Sequence, residues 1–414
     1  MINGERIKSY LYVIGNLLIV AFGFFLFVDW KISRAILIGI LFIWIITGDY
    51  KEKFQKIFSN KIVITFLVFI GLFIFGLLWT EDFYAGRKII ERPLLYLISP
   101  LMVSLYKKEF LKYYLFSALF ALVYTGILTL LIDMNLINMI YTSDKSPFVN
   151  RVYLEGMLLF ALGYFLSKIN IKFFISLENI VWIILSILMI YTLVQSGSRM
   201  GTINLVVVFS IFIYYKFKIT KKNILVVLVL IIGVSYGFYK TNSKVGAQVD
   251  RTIHVLKMMD LNKQVLKGEK DRRTSITCRF EFWYHAYTLG IKHFPFGVGT
   301  GDGILELKRY MGNNETEQLF RQCMGNGSGQ FNPHNMYIFM FMQFGILGVM
   351  VLLWMLYTHL KIALTTQSIP FISLVIVTIL TLFSVSELFT TVFYIPFYGY
   401  MMTLLTLYYS KNKV

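Results

Sequence analysis

Arginine and histidine recur in three short polar motifs of an otherwise apolar chain. The first is Ser196-Gly197-Ser198-Arg199-Met200-Gly201, a polar turn between two hydrophobic runs. A guanidinium at a membrane edge is costly unless paired, and its planar donors suit phosphate oxygens. The bland alternative is an arginine snorkelling to lipid headgroups. The second motif is Arg272-Arg273, followed by Arg279-Phe280-Glu281-Phe282-Trp283 and then Phe294-Pro295-Phe296-Gly297-Val298-Gly299-Thr300-Gly301. Arg279, Trp283 and Tyr287 have helical spacing, which predicts an amphipathic helix lying on a membrane before a glycine turn. No Gly-Lys-Ser/Thr follows the glycines, so they read as a plain turn and not a P-loop. The third motif is Pro333-His334-Asn335-Met336-Tyr337, running into Gln343-Phe344-Gly345-Ile346-Leu347-Gly348. A neutral imidazole at the mouth of a span suits a general base, though a lone histidine is commonly structural.

The elements that must position these residues are membrane helices. Of the 414 residues, 57% are hydrophobic and only 15% charged, where soluble domains carry about a quarter. Apolar runs at 62–79, 179–195 and 371–388 have the length needed to cross about 30 Å of hydrocarbon. The first run, 10–28, has no small-residue cleavage site and is read as a retained helix. Twelve candidate spans start near residues 10, 32, 62, 89, 114, 152, 179, 201, 223, 335, 370 and 391.

Lysine and arginine alternate between loops as the positive-inside rule requires if both termini are cytoplasmic. Inner loops hold Lys51, Lys53 and Lys56, then Lys107, Lys108 and Lys112, then Lys216, Lys218, Lys221 and Lys222; His359 is also expected on the cytoplasmic side. The outer loop 133–150 has only Lys145. The expected fold is therefore an all-α polytopic membrane protein with about twelve transmembrane helices. Nine N-terminal spans cover 1–238, a large outer loop with short amphipathic helices covers 239–334, and three spans cover 335–414. The net charge of +18 is explained by loop cations that set topology, so no nucleic-acid partner is expected.

Both cysteines, Cys278 and Cys323, fall in the outer loop, where a disulfide would close a loop of about 45 residues; two unpaired thiols is the alternative. His254, His285 and His293 lack metal-ligand spacing, and no HExxH, paired Cys-x-x-Cys or carboxylate cluster occurs, so no metal is expected. Glu155, beside Arg151 in a span, reads as an ion-paired structural residue.

Taken together, the three motifs resemble the O-antigen ligase/polymerase superfamily over roughly 195–350. The likeness lies in Ser-Arg between spans, then Arg…Trp…Pro-Phe-Gly-Val-Gly, then His-Asn-x-Tyr entering an apolar helix with Gly-Ile-x-Gly. A large loop between the ninth and tenth of twelve spans is most similar to the ligase branch. The resemblance implies inverting, metal-independent transfer of a glycan from undecaprenyl pyrophosphate to lipid A–core, at the periplasmic face of a bacterial inner membrane. No cofactor is implied, because the donor is already activated.

By the same resemblance Arg199 and Arg279 bind the pyrophosphate, with Arg272 or Arg273 as alternates to Arg279, and His334 is the base. Asn335 and Tyr337 either orient His334 and contact sugar or cap the span they open. Ligase and polymerase share this chemistry and differ in acceptor. A lipid-linked oligosaccharide flippase is the rival of another class; its essential charges would lie near mid-membrane.

Overall fold

A computed structural model describes residues 4–137, 148, 151–170, 176–196, 199–217, 250, 275–324, 331–384 and 388–411. These are helical, with no strand among them. In chain order we label α1 Gly4–Val28, α2 Trp30–Ile46, α3 Tyr50–Ser59, α4 Lys61–Phe75, α5 Phe83–Ile90, α6 Ile98–Leu105, α7 Leu111–Asp133 and α8 Arg151–Lys168. Then come α9 Leu177–Gln195, α10 Arg199–Phe217, α11 Ser275–Lys292, α12 Gly303–Met311, α13 Asn313–Met324, α14 Met336–Thr366, α15 Ile369–Thr381 and α16 Tyr394–Lys411.

Helix starts follow side-chain caps. Asp29 accepts from the amides of Lys31 and Ile32, Asn60 from Ile62 and Val63, and Ser176 from Asn179. Among the described residues six helices are long and apolar enough to cross a membrane: 5–28, 61–79, 108–133, 177–195, 200–217 and 336–366. Large apolar side chains on their outer faces are exposed, including Leu17, Ile74, Phe120, Ile187 and Leu353, as lipid-facing surfaces require. The centre belongs to α8 and α16, whose Met157, Phe160, Tyr398 and Met401 are fully buried. Around them α1 packs on α7 and α2, α8 on α9 and α15, and α14 on α4 and α11.

Three expectations change. The span expected near 89 is not one helix. Pro93 lacks the amide that an α-helix interior needs, so the chain runs from α5 through a 3₁₀ turn, Pro93–Leu97, into the short buried α6. The segment after α2, expected as an inner loop, holds its own amphipathic helix, α3. Its Lys53 is buried and donates to the carbonyl of Trp44 and to Thr47 Oγ1, satisfying polar groups at the end of α2. His359 is not in a cytoplasmic loop. It is fully buried within α14, with Nε2 2.8 Å from Thr65 Oγ1 and Nδ1 2.9 Å from the Tyr398 hydroxyl. Two hydroxyl partners, one on α4 and one on α16, make that burial possible. The span expected near 223 lies outside the described residues, as do Lys218, Lys221 and Lys222.

Candidate active site

Asn335 explains where α14 begins. Its side chain accepts from the amides of Tyr337 (3.0 Å) and Ile338 (3.2 Å), so it is the N-cap. Of the two readings left open for this residue, the structure displays capping. Immediately before it, His334 has a left-handed backbone with φ +51°, a conformation in which histidine is enriched. Its amide donates to Asn332 Oδ1 at 3.0 Å, a short turn that fixes the residue between two buried asparagines. The imidazole is half-buried, its centre 6.5 Å from the Phe282 ring.

Phe282 ties His334 to α11. The same ring meets Phe331 edge-on at 5.6 Å, and Arg279, half-buried, stands three residues earlier on the helix, one turn away. The disulfide Cys278–Cys323, with Cα atoms 5.5 Å apart, joins the start of α11 to α13. Further along, Tyr287 stacks on Phe341 at 5.7 Å, and Gly290 lets the two helices approach where a Cβ would stand 2.5 Å from the Phe341 ring.

A second chain of bonds leads from His334 to the helix that begins at Arg199. The Met336 amide donates to the Leu382 carbonyl at 2.8 Å, and the Tyr337 hydroxyl donates to the Ile379 carbonyl at 3.2 Å. Beside Leu382, Thr381 receives the Asn204 amide at 2.9 Å, and Asn204 lies in the second turn of α10. The starts of α10 and α14 and the end of α15 are thus bonded at one end of the bundle. Arg199 opens α10 there; its side chain lies outside the described residues, as do Arg272, Arg273 and His254. Glu155 is 2% exposed in α8, and a Cβ on Gly201 would sit 3.2 Å from its carboxyl carbon. A buried carboxylate therefore lies against the first turn of α10, two residues past Arg199.

The glycine run is more than a turn. At Gly345 α14 breaks, with φ 58° and ψ −144°, and the loop after α11 wedges into the break. Val298 and Gly299 donate their amides to the carbonyls of Met342 and Gln343 (2.8 and 2.9 Å), and the Ile346 amide donates to Pro295 at 3.1 Å. Gln343 Oε1 takes the Gly301 amide at 2.8 Å, while the Thr300 hydroxyl donates to the Phe73 carbonyl on α4 at 2.7 Å. Polar backbone freed by the kink is thereby satisfied inside the protein, which an apolar surrounding demands. The sequence marks only a glycine run, read as a plain turn, and separately a Gly-Ile-x-Gly in an apolar helix.

Asp302 continues the clamp. It is 2% exposed and accepts the amides of Glu81 and Asp82, both at 2.8 Å, beyond the 3₁₀ end of α4. Burial pushes its carboxyl above the ordinary carboxylate range, against the lowering effect of those two amides. Arg309 bridges Glu81 (2.6 Å) and Glu306 (2.6 Å), and His293 Nε2 stands 3.0 Å from Glu306. Asp302→Ala leaves two part-buried amides without their acceptor. It is expected to cost about 1–3 kcal/mol, read as a lower melting temperature of the detergent-solubilised full chain. An unchanged melting temperature would show that the clamp contributes nothing.

Residues 184–353 match the family model described as O-antigen ligase. The match supports the O-antigen ligase superfamily over the segment that holds Arg199, Arg279 and His334, all three motifs included. A protein of Haemophilus influenzae described as uncharacterized is 24% identical over 305 residues, covering 72% of this chain and 71% of its own length. The superfamily match and the apolar helices together imply a membrane glycosyltransferase of ligase or polymerase type.

Proposed function

We propose that the chain is an O-antigen ligase, transferring a glycan from undecaprenyl pyrophosphate to the lipid A–core acceptor without a metal at the periplasmic face of the inner membrane. The observation that carries the reading is the superfamily match over 184–353, which spans the three helix starts bearing Arg199, Arg279 and His334. Two of these are joined by the Asn204–Thr381 and Met336–Leu382 bonds, and the third by the Phe282–His334 contact.

In this reading the acceptor hydroxyl gives its proton to His334 while its oxygen attacks the anomeric carbon. The bond from that carbon to the pyrophosphate oxygen breaks, and Arg199 and Arg279 stabilise the charge that develops on the leaving group. One displacement inverts the anomeric centre. Arg272 or Arg273 is the alternate to Arg279 for that part. Asn335 acts through the cap that fixes His334, and Tyr337 through its bond to α15. The disulfide holds the helix of Arg279 against α13.

The test is transfer by the purified full chain from undecaprenyl-pyrophosphate glycan, with lipid A–core present and metal and ATP absent. Conjugation to lipid A–core is the expected result. Lengthening of the lipid-linked glycan alone would make it a polymerase. No transfer of either kind, with an active control enzyme, would overturn the reading and favour a flippase.

A further inference from the structure

The chain contains two cysteines, and both enter the one bond Cys278–Cys323, across 45 residues of sequence. Cys278 directly precedes Arg279 near the start of α11, and Cys323 lies at the end of α13. The two halves of α11 are held differently. Its second half is fixed on α14 by the Tyr287–Phe341 stack, by the close approach at Gly290 and by the wedge that follows. Its first half, which carries Arg279, meets α13 through the disulfide and through Phe282, whose ring lies 6.0 Å from that of Phe320.

The seat of α13 is narrow. Thr316 and Leu319 are buried and Phe320 and Cys323 half-buried, one stripe at helical spacing. Glu315, Glu317, Gln318 and Arg321 are exposed. A polar helix of 12 residues is marginal by itself, so its position depends on what that stripe touches. Phe320 completes a triad of rings with Phe282 and Phe331, at 5.6, 6.0 and 6.3 Å, and His334 stands against Phe282. Opening the disulfide therefore removes a support from Arg279 and from the aromatic wall beside His334 together.

We infer that Cys278–Cys323 is a redox latch on the site: closed, it fixes Arg279 for a lipid pyrophosphate, and a dithiol reductant opens it and weakens that binding. The role of Arg279 rests on the proposed transfer; the opening of the latch does not. Cys278 and Cys323 act through Arg279, as positioning residues. In the exchange a reductant thiolate attacks one sulfur of the bond, and the other leaves as a thiolate that takes up a proton. The second reductant thiol then displaces the remaining cysteine, giving two cysteine thiols and one oxidised dithiol. The bond persists in an oxidising compartment, so donor binding is armed only where this loop meets one.

The full chain, purified in neutral detergent, is titrated with farnesyl pyrophosphate and with farnesol as a phosphate-free control. Titrations are made before reduction with dithiothreitol, after it and after re-oxidation, below the melting temperature of all three samples. Affinity for farnesyl pyrophosphate is expected to fall about tenfold or more on reduction and to return on re-oxidation, with farnesol binding unchanged. The reductant has one target, since no other cysteine is present. Cys278→Ser/Cys323→Ser should match the reduced protein and ignore dithiothreitol; if it misfolds, the reduced wild type gives the same readout. Equal affinity in all three states, in a protein that prefers the pyrophosphate to farnesol, overturns the inference. Hydrogen exchange without ligand is read on the same samples. Faster exchange in α13 and the start of α11 on reduction, with α15 unchanged, supports the latch, and unchanged exchange overturns it. An oxidised protein that prefers neither lipid counts against the transfer reading, and exchange then decides the latch alone.

Discussion

His334→Ala is expected to lower glycan transfer by about 10²–10⁴-fold, the range for loss of a positioned general base. The affinity for lipid-linked donor should stay near wild type, because in the proposed reaction the imidazole acts on the acceptor hydroxyl. The backbone at this position complicates the simple substitution: its φ of +51° is strained for alanine. His334→Asn resolves this, since asparagine tolerates the left-handed region but cannot serve as the base. Both variants should lose turnover alike, with Asn retaining the wild-type melting temperature. Turnover retained in the folded Asn variant would remove His334 from the chemistry.

Gly345→Ala is expected to prevent the chain from reaching its native packing. A Cβ there would lie 1.8 Å from the Pro295 carbonyl oxygen, in a backbone conformation, φ 58° and ψ −144°, that side chains rarely adopt. Relief requires the wedge to withdraw, which breaks the bonds from Val298, Gly299 and Ile346 across the kink. The expected penalty is about 4 kcal/mol or more, seen as loss of monodisperse protein after extraction. Gly71→Ala is the control, since a Cβ there meets nothing within 4 Å. Wild-type yield and melting temperature for Gly345→Ala would show that the wedge is dispensable.

Local chemistry made much of this legible from residues alone. The spacing of Arg279, Trp283 and Tyr287 announces α11, and apolar length announces α1, α7, α9 and α10. Asn335 before an apolar run is a cap signal, and the structure uses it so. What stayed hidden depends on partners distant in sequence. A run of hydrophobic residues near 89 has the composition of a span, but Pro93 and the packing of Tyr96 against Phe66 break it into short buried pieces. Lys361 two residues on makes His359 look cytoplasmic, while Thr65 and Tyr398, far away in the chain, bury it. No periodicity records that the glycines of 297–301 enter a helix begun some forty residues later.

The break in α14 also sets a height. At the α-helical rise of about 1.5 Å per residue, 346–366 alone reaches roughly 30 Å, the thickness of the hydrocarbon layer. The preceding turns, 336–344, add roughly 13 Å beyond it. One continuous-looking helix can thus cross the bilayer and still lift its first turn, with His334 in front of it, to the level of lipid headgroups. In the proposed reaction, sugars attached to two different lipids, each confined to its own anchor, can meet at that altitude without either anchor leaving the membrane.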